Sequence, residues 1–349
     1  MKKKIFYIVL TMVISGAVVV GLFVSSEHIM KRENPFVRRF MPHHIDKAEY
    51  LDLGVNSYYI AGLTNDTVYL GNYTAPLLVT AVPTNLGTKV EHQIRLDETQ
   101  RSFRSLSVSV QGNEYYVSDG TIPIIYKVST ANWTATKYME EKVYFSLLQP
   151  MENKTFLFRS QRAVNGEHVL GKLNVSDSTN FELYDEALQK QIDGVFDTDG
   201  QLVTDAKTNQ GVYTYYYRNQ YLVYQPLANR FVKGKTIDTT TLAKIKVTTL
   251  TNGEKKMGAP PQKVNSKTYA YNGLLYIKSE LMGKNEPRSM WKQASIIDVY
   301  DYNKNEYQYS FYAYDHQGDK IKEYAVNDSY FFGLVGNSLV RYVFLGKRE

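Results

Sequence analysis

The sequence predicts an all-β chain, a six-bladed β-propeller behind one N-terminal transmembrane helix, and three observations carry that expectation. Tyr stands at 30 of 349 positions, and with Val, Thr and Phe it favours pleated, half-buried surfaces. A strand-turn-strand pattern recurs six times. An uncharged run from Ile5 to Val24 follows three opening lysines.

Residues 1–26 read as cytoplasmic lysines and a transmembrane anchor. At about 1.5 Å per residue the run through residues 5–24 covers roughly 30 Å as a helix, which is the thickness of a bilayer's hydrocarbon core. The competing reading is a secretory signal peptide, whose apolar core is usually about 7–15 residues long; Val24-Ser25-Ser26 is a weak match to its cleavage site. Lys2, Lys3 and Lys4 favour a cytoplasmic N-terminus, which puts the rest of the chain on the extracytoplasmic side, periplasmic or at the cell surface. Lys31, Arg32, Arg38 and Arg39 follow closely and could hold that side in or touch anionic headgroups.

Residues 27–48 read as a polar, solvated tether. His43 and His44 are adjacent there, and neighbours in a strand point to opposite faces, which disfavours a shared metal. Charge is concentrated in this part of the chain: residues 1–47 hold eight Lys and Arg against three acids, a net +5, leaving about +1 for residues 48–349. A nearly neutral body lacks the basic stripe that phosphate contacts need, so no nucleic-acid partner is expected. The absence of Cys excludes disulfides, Cys-ligated metals and a thiol nucleophile.

The body, residues 49–349, is read from its hairpins. Their first strands begin near Thr67, Glu114, Thr155, Val212, Leu274 and Tyr330, at intervals of about 53 residues, close to the 40–50 residues of a propeller blade. Further strand-like runs flank them, such as YYIAG and EHQIRL around the first and LSVSV and ATKYM around the second, so each unit has the four strands of a blade. The last hairpin has no outer strand after it, and EYLDLG at 49–54 can supply one and staple the ring shut. Two stacked sandwiches are the alternative, but they would not need six similar hairpins.

One of these hairpins, EYYVSDGTIPIIYKVSTANW at 114–133, is similar to the NHL and YVTN class of propeller repeats, with its Tyr-Val-x-Asp run, Gly-containing turn and aliphatic second strand. The resemblance implies the propeller and says little about activity, since such folds host many chemistries.

Few residues announce chemistry. Asp193, Asp197, Asp199 and Asp205 cluster in DGVFDTDGQLVTD, but the spacing of a calcium loop is missing and Asp-Gly turns account for it. His92, His168 and His316 are the body's histidines, none persuasive as a base, and no Gly-x-Ser-x-Gly elbow exists. No catalytic, metal or cofactor-binding residue is assigned, and cofactors stay open. Tyrosines at alternate positions are expected to fill the space between blades with hydroxyls at the rim. The excursion from Leu281 to Ala294 is the expected contact loop, with Arg288, Met290, Lys292 and an exposed Trp291 offered to a partner. The expected role is a membrane-anchored binding or scaffold module for a protein, peptide or glycan. The alternative is a lactonase- or hydrolase-like propeller enzyme with a central-channel site.

Overall fold

The alternating apolar residues of the six hairpins form the expected strands. Thr67–Asn72, Glu114–Asp119, Thr155–Gln161, Gln210–Tyr215, Leu274–Ser279 and Tyr330–Val335 each stand second in a sheet of at least four antiparallel strands. This computed structural model describes residues 2–30, 34–97, 101–176, 178–251 and 253–345, so the expectations for Lys31 and Arg32 lie outside the described residues. From the inner to the outer strand, blade 1 is built from Tyr58–Leu63, Thr67–Asn72, Leu78–Pro83 and Val90–Gln93. Blades 2 to 5 follow in chain order, with inner strands Ser107–Gln111, Leu147–Pro150, Gly200–Asp205 and Asn265–Tyr271.

Blade 6 takes Ile321–Val326, Tyr330–Val335 and Ser338–Phe344 from the end of the body and its outer strand, Ile45–Asp52, from the beginning. The register pairs Ile45 with Phe344 and Asp52 with Ser338. The ring therefore closes as expected, on a strand that starts four residues earlier than the EYLDLG stretch. Ile45 is buried beside Tyr342 and Phe311, so the closing strand contributes core as well as hydrogen bonds.

Tyrosines join neighbouring blades. The Tyr302 hydroxyl of blade 5 donates to Asp205 Oδ2 of blade 4 at 2.8 Å. The Tyr324 hydroxyl of blade 6 donates to the Tyr276 carbonyl of blade 5 at 2.9 Å. Between blades 3 and 4, the Tyr213 hydroxyl donates to the Thr198 carbonyl at 2.6 Å and accepts from Arg159. A large ring spans the wedge between two sheets, and its hydroxyl finds a polar group across the junction. Within blades, Tyr59, Phe158 and Tyr221 lie over Gly71, Gly171 and Gly234 on the paired strands, where a methyl group would occupy the ring's place.

The chain before the closing strand departs from expectation. From Asn34 onward, the segment expected to be a solvated tether lies against blade 5. Arg38 is buried there and uses its whole guanidinium: Nε and Nη2 donate to Asp298 at 2.7 and 3.0 Å, Nη1 to Glu286 and the Leu281 carbonyl at 2.6 and 3.0 Å, and Nη2 to Ser279 at 2.7 Å. Burial works against that charge, but the two carboxylates outweigh it and hold the Arg38 pKa above its ordinary value. Arg39 and Met41 bond the backbone of Ser310 in the outer strand of blade 5, Glu306–Tyr314, and cover its exposed edge. The misreading has a physical cause: a basic residue among other bases in a polar stretch looks solvated unless its carboxylates, more than 240 residues away, are known.

Ahead of this segment, Lys2–Met30 is one helix. Its stretch Lys3–Phe23 is long and apolar enough to cross a membrane, as an anchor or as a signal sequence, and none of it is buried against the propeller.

Candidate binding site at the channel mouth

In an antiparallel blade the connections alternate between two ends. At the end where inner strands finish, turns are tight: 64–66, 112–113, 206–209 and 272–273. At the end where they begin, 185–199, 236–264 and 280–293 are long. Loops without a structural minimum accumulate at this mouth end, which is where binding surfaces usually sit.

All six inner strands line a central channel of about 690 Å³. Its charged side chains are largely committed. Lys267 pairs with Glu323 at 3.0 Å, and Glu323 also accepts the Ile60 N–H at 2.9 Å, so one ion pair links blades 5, 6 and 1. The Tyr59 hydroxyl accepts the Val108 N–H at 2.7 Å. Burial pushes Tyr59 and Tyr216 up to about 12, so both stay protonated near neutrality. Among the described residues no histidine lines the channel.

At the mouth the channel continues into a groove of about 700 Å³ between blades 2 and 3, with Ser107, Ser118, Ser146 and Leu148 common to both. Ser105, Ser160 and Tyr144 complete its character, and the Tyr144 ring is 67% exposed. Two buried networks hold these walls. Asp119, the acid of the Tyr-Val-x-Asp run, accepts the N–H groups of Arg104 and Ser105 at 2.8 Å each and both donors of Thr121 at 2.9 and 2.7 Å. Burial opposes its charge, but these donors outweigh it and keep the carboxyl below its usual range. On the other wall, Arg159 Nε donates to Ser146 Oγ at 2.9 Å while Nη1 pairs with Asp199 at 2.5 Å. The groove thus places several serine hydroxyls on held walls; Ser146 Oγ is engaged by Arg159, and a serine hydroxyl can in general both donate and accept.

The residues singled out from the sequence lie elsewhere. Arg288–Gln293 forms a short helix on the mouth-end excursion, outside the channel and groove linings. Arg288 and Lys292 are exposed, but Met290 and Trp291 are half-buried. The Trp291 Nε1–H donates to Glu286 Oε2 at 2.8 Å, and its ring lies 5.9 Å from the Arg38 guanidinium. The expectation of an exposed tryptophan is therefore corrected: the indole completes the buried network that holds residues 34–41.

The four clustered aspartates serve the fold. Asp193 and Asp197 accept N–H groups of their own loop, including Phe196 to Asp193 at 3.0 Å and Gly194 to Asp197 at 2.6 Å. Asp199 pairs with Arg159, and Asp205 accepts from Tyr302 and the Gly273 N–H. Among the described residues no group of three His, Asp or Glu is placed to share a metal ion. His92 stacks on Trp133 at 3.9 Å. His168 meets Thr198 at 3.2 Å, and burial, aided by the charge of Arg159, lowers its pKa to about 4. His316 is buried against Tyr50.

Sequence reasoning missed the groove, because its serines come from separate strands and loops of two blades. It also missed the hairpin Val247–Thr249 and Lys255–Met257 inside the 236–264 connection. Asn252-Gly253 was the available signal.

No family model and no curated protein matches the chain. Solved structures do. The chain is similar to a member of the DUF4221 family from Bacteroides vulgatus (12% identity, TM-score 0.51, covering 90% of this chain and 99% of that one). It is also similar to a protein of unknown function from Bacteroides thetaiotaomicron (11% identity, TM-score 0.50, covering 87% and 73%). The WD40 repeats of RRP9 are a third neighbour (9% identity, TM-score 0.51, covering 86% and 100%). At these identities the likeness establishes the propeller fold alone, and the NHL and YVTN resemblance stands at that level.

Proposed function

We propose that this chain is a membrane-anchored, extracytoplasmic binding module that takes an extended segment of a protein partner at the channel mouth. One observation carries the reading: five serines, Ser105, Ser107, Ser118, Ser146 and Ser160, together with the exposed Tyr144, line one open groove that leads into the channel. Peptide backbone presents donors and acceptors in alternation, and hydroxyls answer both, while a rigid ring supplies apolar area at low entropic cost. Exposed Arg288 and Lys292 offer a second contact on the same end of the ring.

The enzyme alternative has less support. Catalysis by proton transfer needs an acid or base free to act, and in the channel Glu323 is already held by Lys267 and the Ile60 N–H. The test places a photo-crosslinking amino acid at Tyr144, and in a parallel strain at Thr130, on the opposite end of blade 2. A discrete protein adduct is expected from position 144 only. Equal adducts at both positions, or none at 144, would remove the groove as the binding site, and an adduct sensitive to glycosidase would identify a glycan instead.

A further inference from the structure

We propose that the mouth end of blades 4 and 5 lies against anionic lipid headgroups of the bilayer that holds the N-terminal helix. The inference rests on reading that helix as a retained anchor, and it adds which face of the propeller meets the membrane and through what chemistry.

The chain leaves the propeller at a defined place. The Asn34 N–H and Nδ2 both donate to the Met282 carbonyl, at 3.0 and 2.9 Å, and the Lys284 N–H donates to the Phe36 carbonyl at 2.8 Å. Phe36 packs against Val264, Leu281 and Ile237, joining the two long mouth-end connections of blades 4 and 5. Four residue steps separate Asn34 from Met30, the last residue of the helix, and four extended steps reach at most about 14 Å. The membrane-length stretch itself ends at Phe23, and the helical steps from there to Met30 add about 10 Å. The exit point is thus held within about 25 Å of the hydrocarbon edge, and this region is the part of the propeller nearest the bilayer.

The same region is basic while the body as a whole is almost neutral. Residues 242–263 hold Lys244, Lys246, Lys255, Lys256 and Lys263, all exposed, against the single acid Glu254. The hairpin register sets Lys256 opposite Thr248 and Lys255 opposite Thr249. The Gly258 N–H bonds the Lys246 carbonyl at 2.7 Å, which keeps Lys246 at the hairpin's base. Gln191 ties that base to the 185–199 connection, donating to the Thr241 carbonyl at 2.9 Å and accepting the Ala243 N–H at 2.8 Å. Exposed Lys284, Arg288 and Lys292 flank the point of exit, where Glu286 is already neutralised by Arg38. Leu242 and Leu250, 68% and 38% exposed, add apolar contact on the same connection. Clustered lysines beside exposed leucines, a few residues from a membrane helix, suit an anionic headgroup layer, whose attraction extends about one Debye length, roughly 8 Å at physiological salt.

The test uses the full chain in lipid nanodiscs, one set of phosphatidylcholine and one containing phosphatidylglycerol, and follows acetylation of each lysine by mass spectrometry. Lys244, Lys246, Lys255 and Lys256 are expected to react several-fold more slowly in the anionic discs and to recover in high salt, while Lys154 and Lys207 at the opposite end stay unchanged. The variant Lys244→Glu/Lys246→Glu, read at Lys255 and Lys256, should lose most of the difference. Equal reactivity in both kinds of disc would overturn the proposal while leaving the anchor in place. A chain that does not enter discs at all, or whose mature N-terminus lies near Glu27, would remove the anchor reading and this proposal with it.

Discussion

Arg38 shows how one side chain decides the behaviour of a segment. Its partners Asp298 and Glu286 are buried with it, so Arg38→Met would leave two carboxylates without their counter-charge. A loss of about 3–5 kcal/mol is expected in chemical denaturation, and Arg38→Lys should recover little because an ammonium cannot serve both carboxylates in the same fork. Trp291→Ala removes a donor from Glu286, and the expected loss is about 1–3 kcal/mol, where an exposed loop residue would cost within about 0.5. A loss below that bound would return Trp291 to the role of a contact residue. Two histidines set a pH dependence. Burial lowers both His44 and His168 from 6.5 to about 4, and both His44 ring nitrogens are buried without a hydrogen-bond partner among the described residues. Between these values the unfolded chain binds protons that the folded one refuses, so stability present above pH 6.5 is lost as pH falls toward 4. Urea midpoints at pH 7.5, 6 and 5 should drop, and the double variant His44→Leu/His168→Gln should flatten that drop.

At the level of elements, the N-terminal part of the body does two separable jobs. Residues 34–44 cover the outer edge of blade 5 and complete its buried charge network, and Ile45–Asp52 supplies the fourth strand of blade 6. Two successive losses of melting temperature are therefore expected when chains beginning at residues 34, 45 and 53 are compared: one when the Arg38 network goes, and one when the ring opens and bares the Ser338–Phe344 edge. Had residues 34–44 been a solvated tether, the first step would have been silent. If the chains beginning at 45 and 53 melt together, strand closure is not what holds the ring.

For the whole molecule, the decisive relation is between a helix that buries nothing in the propeller and a body attached to it within four residues. If the helix is retained, the intact chain should stay with membranes through a carbonate wash, and intact mass should include the residues from Met1. Release by carbonate, or a mature start near Glu27, would make the helix a signal peptide and the body a free propeller. The Tyr and Asp links across the blade junctions are spread around the ring, so loss of one, as in Tyr302→Phe, should lower stability by about 1–3 kcal/mol while unfolding remains a single transition by calorimetry.

What the sequence determined by itself was whatever repeats or stays local. Period-two alternation broken by Gly and Asn turns located all six hairpins, because strand pairing between neighbours in sequence needs only local information. The missing outer strand of the last blade pointed to EYLDLG because each blade takes four strands and the first blade has its own, and 20 uncharged residues mark a membrane-length helix whatever the rest of the chain does. The tertiary structure alone decided everything that depends on distant partners. Arg38 meets Asp298 and Glu286 across 260 and 248 positions, Trp291 turns inward to Glu286, and serines from two blades converge on one groove. A charge or an indole has no sequence period to betray its partner, since its place is set by which blades the closed ring makes adjacent.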